Sequence, residues 1–292
     1  MKSIYLLPLF TTFALTNAES NGTIPETLFG PGPYYDDVFR EANTSPNATG
    51  AVDILAINMS VGPMVGIEAL WSAHLNITEV TNLHHTPSPS TDVITNSVIS
   101  IDTRGGWVET LDWDTTFVIF LDVARNATVD GQKDTGDCHA TLGEKCVRDY
   151  SQVIESAIHS TRASKLNTTV IPPPPASCKY RLSSASISNQ FESKYANGSA
   201  YIHHSSAVHN ASDTISYQEA TTRIWPIFLR QGGRGGAKNV TGIAMARMSC
   251  LRANATTEGS EAIGGVPGAA VGIRVYEWAV VGVACLVGGL LV

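Results

Sequence analysis

Asp112 and Asp114 form the carboxylate pair best placed for chemistry. Residues i and i+2 of a strand project to one face with Cα atoms about 6.6 Å apart, which can bring two carboxyl groups to the separation used in glycoside hydrolysis. Trp71, Trp107 and Trp113 would then offer flat apolar surfaces to a sugar ring. A plainer role fits the same residues. Thr110, Asp112, Asp114, Thr116 and Asp122 share one parity, the pattern of the wetted side of a one-sided sheet, with Glu109 on the other parity. The plainer role takes precedence, so catalysis by Asp112 and Asp114 stays an alternative.

The histidines invite a metal reading: His84 and His85 are adjacent, as are His203 and His204, with His209 close by. Neighbouring strand residues point to opposite faces, and none of these pairs stands at i, i+2 on a strand or i, i+4 on a helix. A shared ion would need distant segments to converge. Asp130, Asp134 and Asp137 lie in a Gly-rich loop that could hold calcium, but their spacing is not that of an EF-hand, and a solvated turn is the simpler account. No nucleophile elbow, zinc-protease helix or phosphate-binding loop occurs, and the run Gly232-Gly233-Arg234-Gly235-Gly236 reads as a flexible loop. No cofactor is expected.

Compartment is far more legible. Residues 1–18 carry Lys2, an apolar run from Ile4 to Phe10 and the small residue Ala18 before Glu19, the layout of a signal peptide. Asn-x-Ser/Thr sequons start at Asn21, Asn43, Asn47, Asn58, Asn76, Asn126, Asn167, Asn197, Asn210, Asn239 and Asn254. Cys138, Cys146, Cys178 and Cys250 give an even count suited to an oxidising exterior. Of the three possible pairings, Cys138 with Cys146 and Cys178 with Cys250 are favoured, contributing about 2.5 and about 4.4 kcal/mol by loop closure.

The run from Trp278 to Val292 has no charge and includes Cys285. It would span roughly 22 Å as a helix, short of the roughly 30 Å hydrocarbon core of a bilayer, and nothing basic follows it. Small residues upstream supply attachment positions, Gly268 or Gly264 first and Ser260 behind them, so the expectation is a glycosylphosphatidylinositol (GPI) signal, with a single-pass helix as its alternative. The formal net charge of −7 offers no footprint for nucleic acid. Charged residues make up only 15%, below the roughly 25% of ordinary soluble domains, and glycans would supply the missing surface hydration.

These features need a scaffold. Residues 19–49 read as an extended, glycosylated lead, 50–255 as a single ectodomain, 256–274 as a small-residue spacer and 275–292 as the anchor signal. The fold expected is α+β and predominantly β, an antiparallel sheet or sandwich, with one clear amphipathic helix near 143–160. Cys146, Val147, Tyr150, Val153, Ile154, Ala157 and Ile158 form its apolar stripe, and Thr141 with Glu144 has capping-box spacing. Strand alternation runs through Ser97–Asp102 and Trp107–Val123, read as a hairpin or meander around Arg104-Gly105-Gly106 with one buried face. Val61 to His74 reads as helical, Pro172 to Pro175 as a stiff connector, and 199–208, 214–229 and 240–252 as β-rich.

The stretch from Asp134 to Val147 resembles an element of uncharacterised secreted or anchored glycoproteins of filamentous fungi. The resemblance spans about fourteen residues; it implies an extracellular class and no activity. The function expected is therefore a non-catalytic cell-surface or cell-wall glycoprotein with a structural or interaction role. Its partners would be the membrane, through the anchor, and wall polysaccharide or surface proteins. Alternatives are a surface hydrolase acting on wall polysaccharide and extracellular metal binding.

Overall fold

Trp71, Ala73, Leu75 and Ile77 alternate along one strand and are all completely buried, while His74 between them is exposed. That period of two is what a strand produces when one face meets a core. The computed structural model describes residues 28–29, 43–59, 68–81, 91–108, 113–161, 172–183, 186–191, 196–233 and 244–267.

Two sheets face each other. The first has the order β1 (Leu28–Phe29), β7 (Asn197–Ser205), β4 (Asp92–Asp102), β3 (Glu68–Val80), β2 (Ala48–Ile57), β11 (Ala255–Thr256), with β8 (His209–Asn210) also pairing with β4. Its pairs are antiparallel apart from β1 with β7. The second runs β10 (Ala244–Leu251), β9 (Trp225–Gly233), β5 (Trp113–Phe120), β6 (Ser186–Gln190), antiparallel throughout. Their inner faces share one core of Ile54, Trp71, Leu75, Ile99, Phe117, Ile119, Ile227 and Leu229. The Trp71 and Phe117 rings lie 6.1 Å apart across the gap. In β7 the register slips between Ile202, opposite Ile99, and Ala200, opposite Ser100. The extra residue, Tyr201, turns inward beside Ile202, and its ring lies 5.8 Å from Phe117.

A helical layer covers the outer face of the second sheet. It comprises α1 (Arg125–Gly131), α2 (His139–Leu142) and α3 (Glu144–Thr161). Leu142, Cys146, Tyr150 and Ile154 pack on Val118, Phe120, Phe228, Ala246 and Met248. Two disulfides fix this layer, Cys138–Cys250 to β10 and Cys146–Cys178 to a single 3-10 turn, Ala176–Cys178.

The α+β, mostly antiparallel architecture and the helix near 143–160 agree with the sequence reading, as do the alternation through Ser97–Asp102, with Ile99 and Ile101 buried, and the strand Ala244–Leu251 within the β-rich stretch 240–252. Other expectations are corrected. The disulfides are not Cys138–Cys146 and Cys178–Cys250: Cys146 faces inward from the first turn of α3, whereas Cys138 precedes α2 and reaches β10. β4 and β5 do not form a hairpin, since they belong to opposite sheets. β5 is not one-sided either, because Val118 and Phe120 opposite the core face are buried under α3. Residues 68–74, read as helical, lie in β3, and 215–222, read as β-rich, form a further helix, α4 (Ile215–Thr222). The folded body takes in residues on either side of 50–255: β2 begins at Ala48, and Ile263 still packs on the core.

Candidate functional site

The interior of the sandwich turns polar at the end closed by α4. His204 is paired opposite Ser97, and its ring lies 5.3 Å from Trp225 in an edge-on arrangement. Arg223 follows α4 directly. Its guanidinium sits over Trp225 at 5.1 Å, while Nη1 is 3.1 Å from His204 Nε2 and donates at 3.4 Å to the Leu121 carbonyl. Arginine has no acceptor, so His204 Nε2 accepts in that contact. Burial, reinforced by the Arg223 charge, pushes the His204 pKa down to about 4, leaving a neutral ring at ordinary pH. Burial also lowers the Arg223 pKa, while Glu219 and Asp122 oppose the shift.

An acidic group gathers around α4. Tyr217 of α4 donates its hydroxyl to the Glu261 carbonyl at 3.1 Å, and Gln218 donates to the Glu261 carboxylate at 2.9 Å. Burial, with Glu79 and Glu261 nearby, raises the Tyr217 pKa to about 12, so the phenol stays a donor. The Glu79 carboxyl is raised by burial and by Glu261, against the pull of His209. His209 itself meets Thr95 Oγ1 through Nε2 at 3.1 Å and the Asn210 carbonyl through Nδ1 at 3.1 Å.

A second polar centre is Asp134, which is buried. Its Oδ1 accepts from the backbone N–H of Gly136 (2.8 Å) and Cys138 (3.0 Å), and its Oδ2 from the N–H (2.9 Å) and hydroxyl (2.8 Å) of Thr141. The carboxylate therefore shapes the loop that presents Cys138, whose backbone adopts φ +64°. Thr141 answers Asp134 rather than capping α3 with Glu144. Asp137 accepts from the His139 N–H, and Asp130 accepts from Arg181 Nη1 at 2.8 Å. Of the three aspartates read as a solvated turn or calcium loop, Asp130 and Asp137 are exposed and pair at the surface, as a solvated turn allows, whereas Asp134 is buried.

Of the remaining candidates, Asp112, His84 and His85 lie outside the described residues, as do the loop residues Arg234, Gly235 and Gly236. Asp114 is opposite Gly232 in the β5–β9 ladder. His203 and His204 are successive residues of β7 and so face opposite sides. The Arg223 guanidinium beside His204 works electrostatically against a metal cation there, and no group of three or more potential ligands occurs among the described residues. Trp71 lies within the core, and Trp107 packs edge-on against Phe191 at 5.2 Å, so neither is a free stacking platform.

The sequence reading passed over Arg223, Glu79 and Tyr217. The signal available was Asp213, whose carboxylate accepts from the Ile215 N–H at the start of α4. It was masked by Thr221 and Thr222, β-branched residues that satisfy their hydroxyls on the carbonyls one turn back, Tyr217 and Gln218.

No family model, curated protein or solved structure matches this chain. The two disulfides are the feature that places it, fitting an extracellular or secreted protein. No helix among the described residues is long and apolar enough to cross a membrane.

Proposed function

We propose that this chain is a secreted, N-glycosylated protein of the cell surface or cell wall, held by a C-terminal lipid anchor, whose folded body serves a structural or interaction role. The observation that carries this reading is the pair of buried disulfides, one joining the helical layer to β10 and one closing that layer on the Ala176–Cys178 turn, a device characteristic of oxidising compartments. The engagement of Asp130, Asp134, Asp137, His204 and His209 in internal contacts supports a structural use for these groups. So does the resemblance of the Asp134–Val147 stretch to secreted fungal glycoproteins, since that stretch holds the Asp134 loop and two of the half-cystines. Of the two attachment positions, Gly264 directly follows Ile263, which packs on the core and crowds that position, and Gly268 lies outside the described residues.

Treating intact cells with a phosphatidylinositol-specific phospholipase tests the reading. Release of folded, sugar-bearing protein into the medium is expected. Retention on the cells together with a C-terminal tag on the mature protein would rule out the lipid anchor.

A further inference from the structure

Asn47 and Asn76 both begin sequons, yet their side chains are built into the fold. Asn47 Oδ1 accepts from the Glu79 backbone N–H at 2.8 Å while its Nδ2 donates to Ser260 Oγ at 3.2 Å, so the amide is gripped at both ends. Its backbone is held as well: its N–H donates to the Ile77 carbonyl and its carbonyl accepts from Thr257. Asn47 thereby fastens the strap that follows β11 to the start of β2 and the end of β3. Asn76 Nδ2 donates to Asn43 at both Oδ1 (2.9 Å) and the backbone carbonyl (3.4 Å). A glycan bond replaces one of the two N–H groups on Nδ2 and sets a large polar group against the contacts this nitrogen makes.

Other sequons differ. Asn126, in the first turn of α1, and Asn254, just before β11, are exposed, and among the described residues no hydrogen-bond partner holds either side-chain nitrogen. Asn210 is exposed too. Its Oδ1 accepts both donors of Ser212, and its nitrogen makes only a 3.4 Å contact with Thr91.

We infer that glycosylation is divided along this line: Asn126, Asn210 and Asn254 carry N-glycans, whereas Asn47 and Asn76 stay bare and act as side-chain clamps between strands. The inference rests on the secretory reading above, since sugar transfer requires that route.

The test uses the full chain expressed through a eukaryotic secretory pathway, deglycosylated with peptide N-glycosidase F in heavy-oxygen water and mapped by peptide mass. Heavy-oxygen Asp is expected at 126, 210 and 254, with unmodified Asn at 47 and 76. Conversion at 47 or 76, or bare Asn at 126, 210 and 254 in protein glycosylated elsewhere, overturns the division. Absence of sugar at every position instead contradicts the secretory reading. Paired variants add a second readout. Asn126→Gln should lose one glycan step on a gel with its melting temperature held within about a degree, and Asn47→Gln should keep every glycan but melt earlier. A glycan lost in Asn47→Gln overturns the proposal.

Discussion

Asp134 and Thr141 are joined twice, through the N–H and through the hydroxyl of Thr141, both directed at one carboxylate oxygen. The other oxygen holds the backbone just ahead of the Cys138–Cys250 bridge. The loop is thus held by a buried acceptor as well as by the disulfide.

Asp134→Asn preserves shape but turns an NH2 group toward N–H and O–H donors. Leaving those donors unsatisfied should cost about 3 kcal/mol, read as a lower urea midpoint. Thr141→Val, which removes only the hydroxyl, should cost about 1 kcal/mol. An unchanged midpoint in Asp134→Asn would remove the loop's organising role.

The two bridges close loops of different length. With separations of 112 and 32 residues, loop-closure entropy predicts losses of about 5 kcal/mol for Cys138→Ser with Cys250→Ser, and about 4 kcal/mol for Cys146→Ser with Cys178→Ser. Denaturant titration of the two double variants checks the order.

Gly50 is required by a close approach. A Cβ there would lie 1.9 Å from the Arg252 carbonyl oxygen and 2.7 Å from its carbon, and backbone cannot step aside as a side chain can. Gly50→Ala should destabilise by about 2 kcal/mol and loosen the strap after β10, seen as faster amide exchange at Asn254 and Thr257.

Acid should weaken the end of the sandwich where His204 sits. Its folded pKa, about 4, lies below the ordinary value of 6.5, so between those values the unfolded chain binds more protons and stability rises with pH. The loss on going from pH 6.5 to pH 4 amounts to up to about 3 kcal/mol. Glu79, raised by burial, acts in the opposite sense. The difference between wild type and His204→Phe across that window isolates the histidine, and a parallel pH dependence in both would contradict the assignment.

How much of this the sequence could show depended on whether a contact was local. The Cys146, Tyr150 and Ile154 stripe and the Ile99, Ile101 alternation are periodic within one element, so they were readable. Whether β5 was wetted or buried on its second face depended on α3 arriving from elsewhere in the chain, and Val118 with Phe120 was the only local hint. The disulfide partners, the contact of Arg223 with His204 and the grip of Ser260 on Asn47 join residues far apart in sequence, and no spacing rule encodes them. Asp134 misled for another reason: an acidic residue among glycines reads as a solvated turn, and only the folded loop surrounds it with four donors.

The central claim is an oxidised fold made for the cell exterior, and peptide mapping of protein taken from its own cells, alkylated before digestion without reductant, tests it most directly. The account predicts crosslinked peptides joining Cys138 to Cys250 and Cys146 to Cys178, with no label on these four residues. Alkyl label on all four, in protein recovered at full length from cytosol, would contradict it.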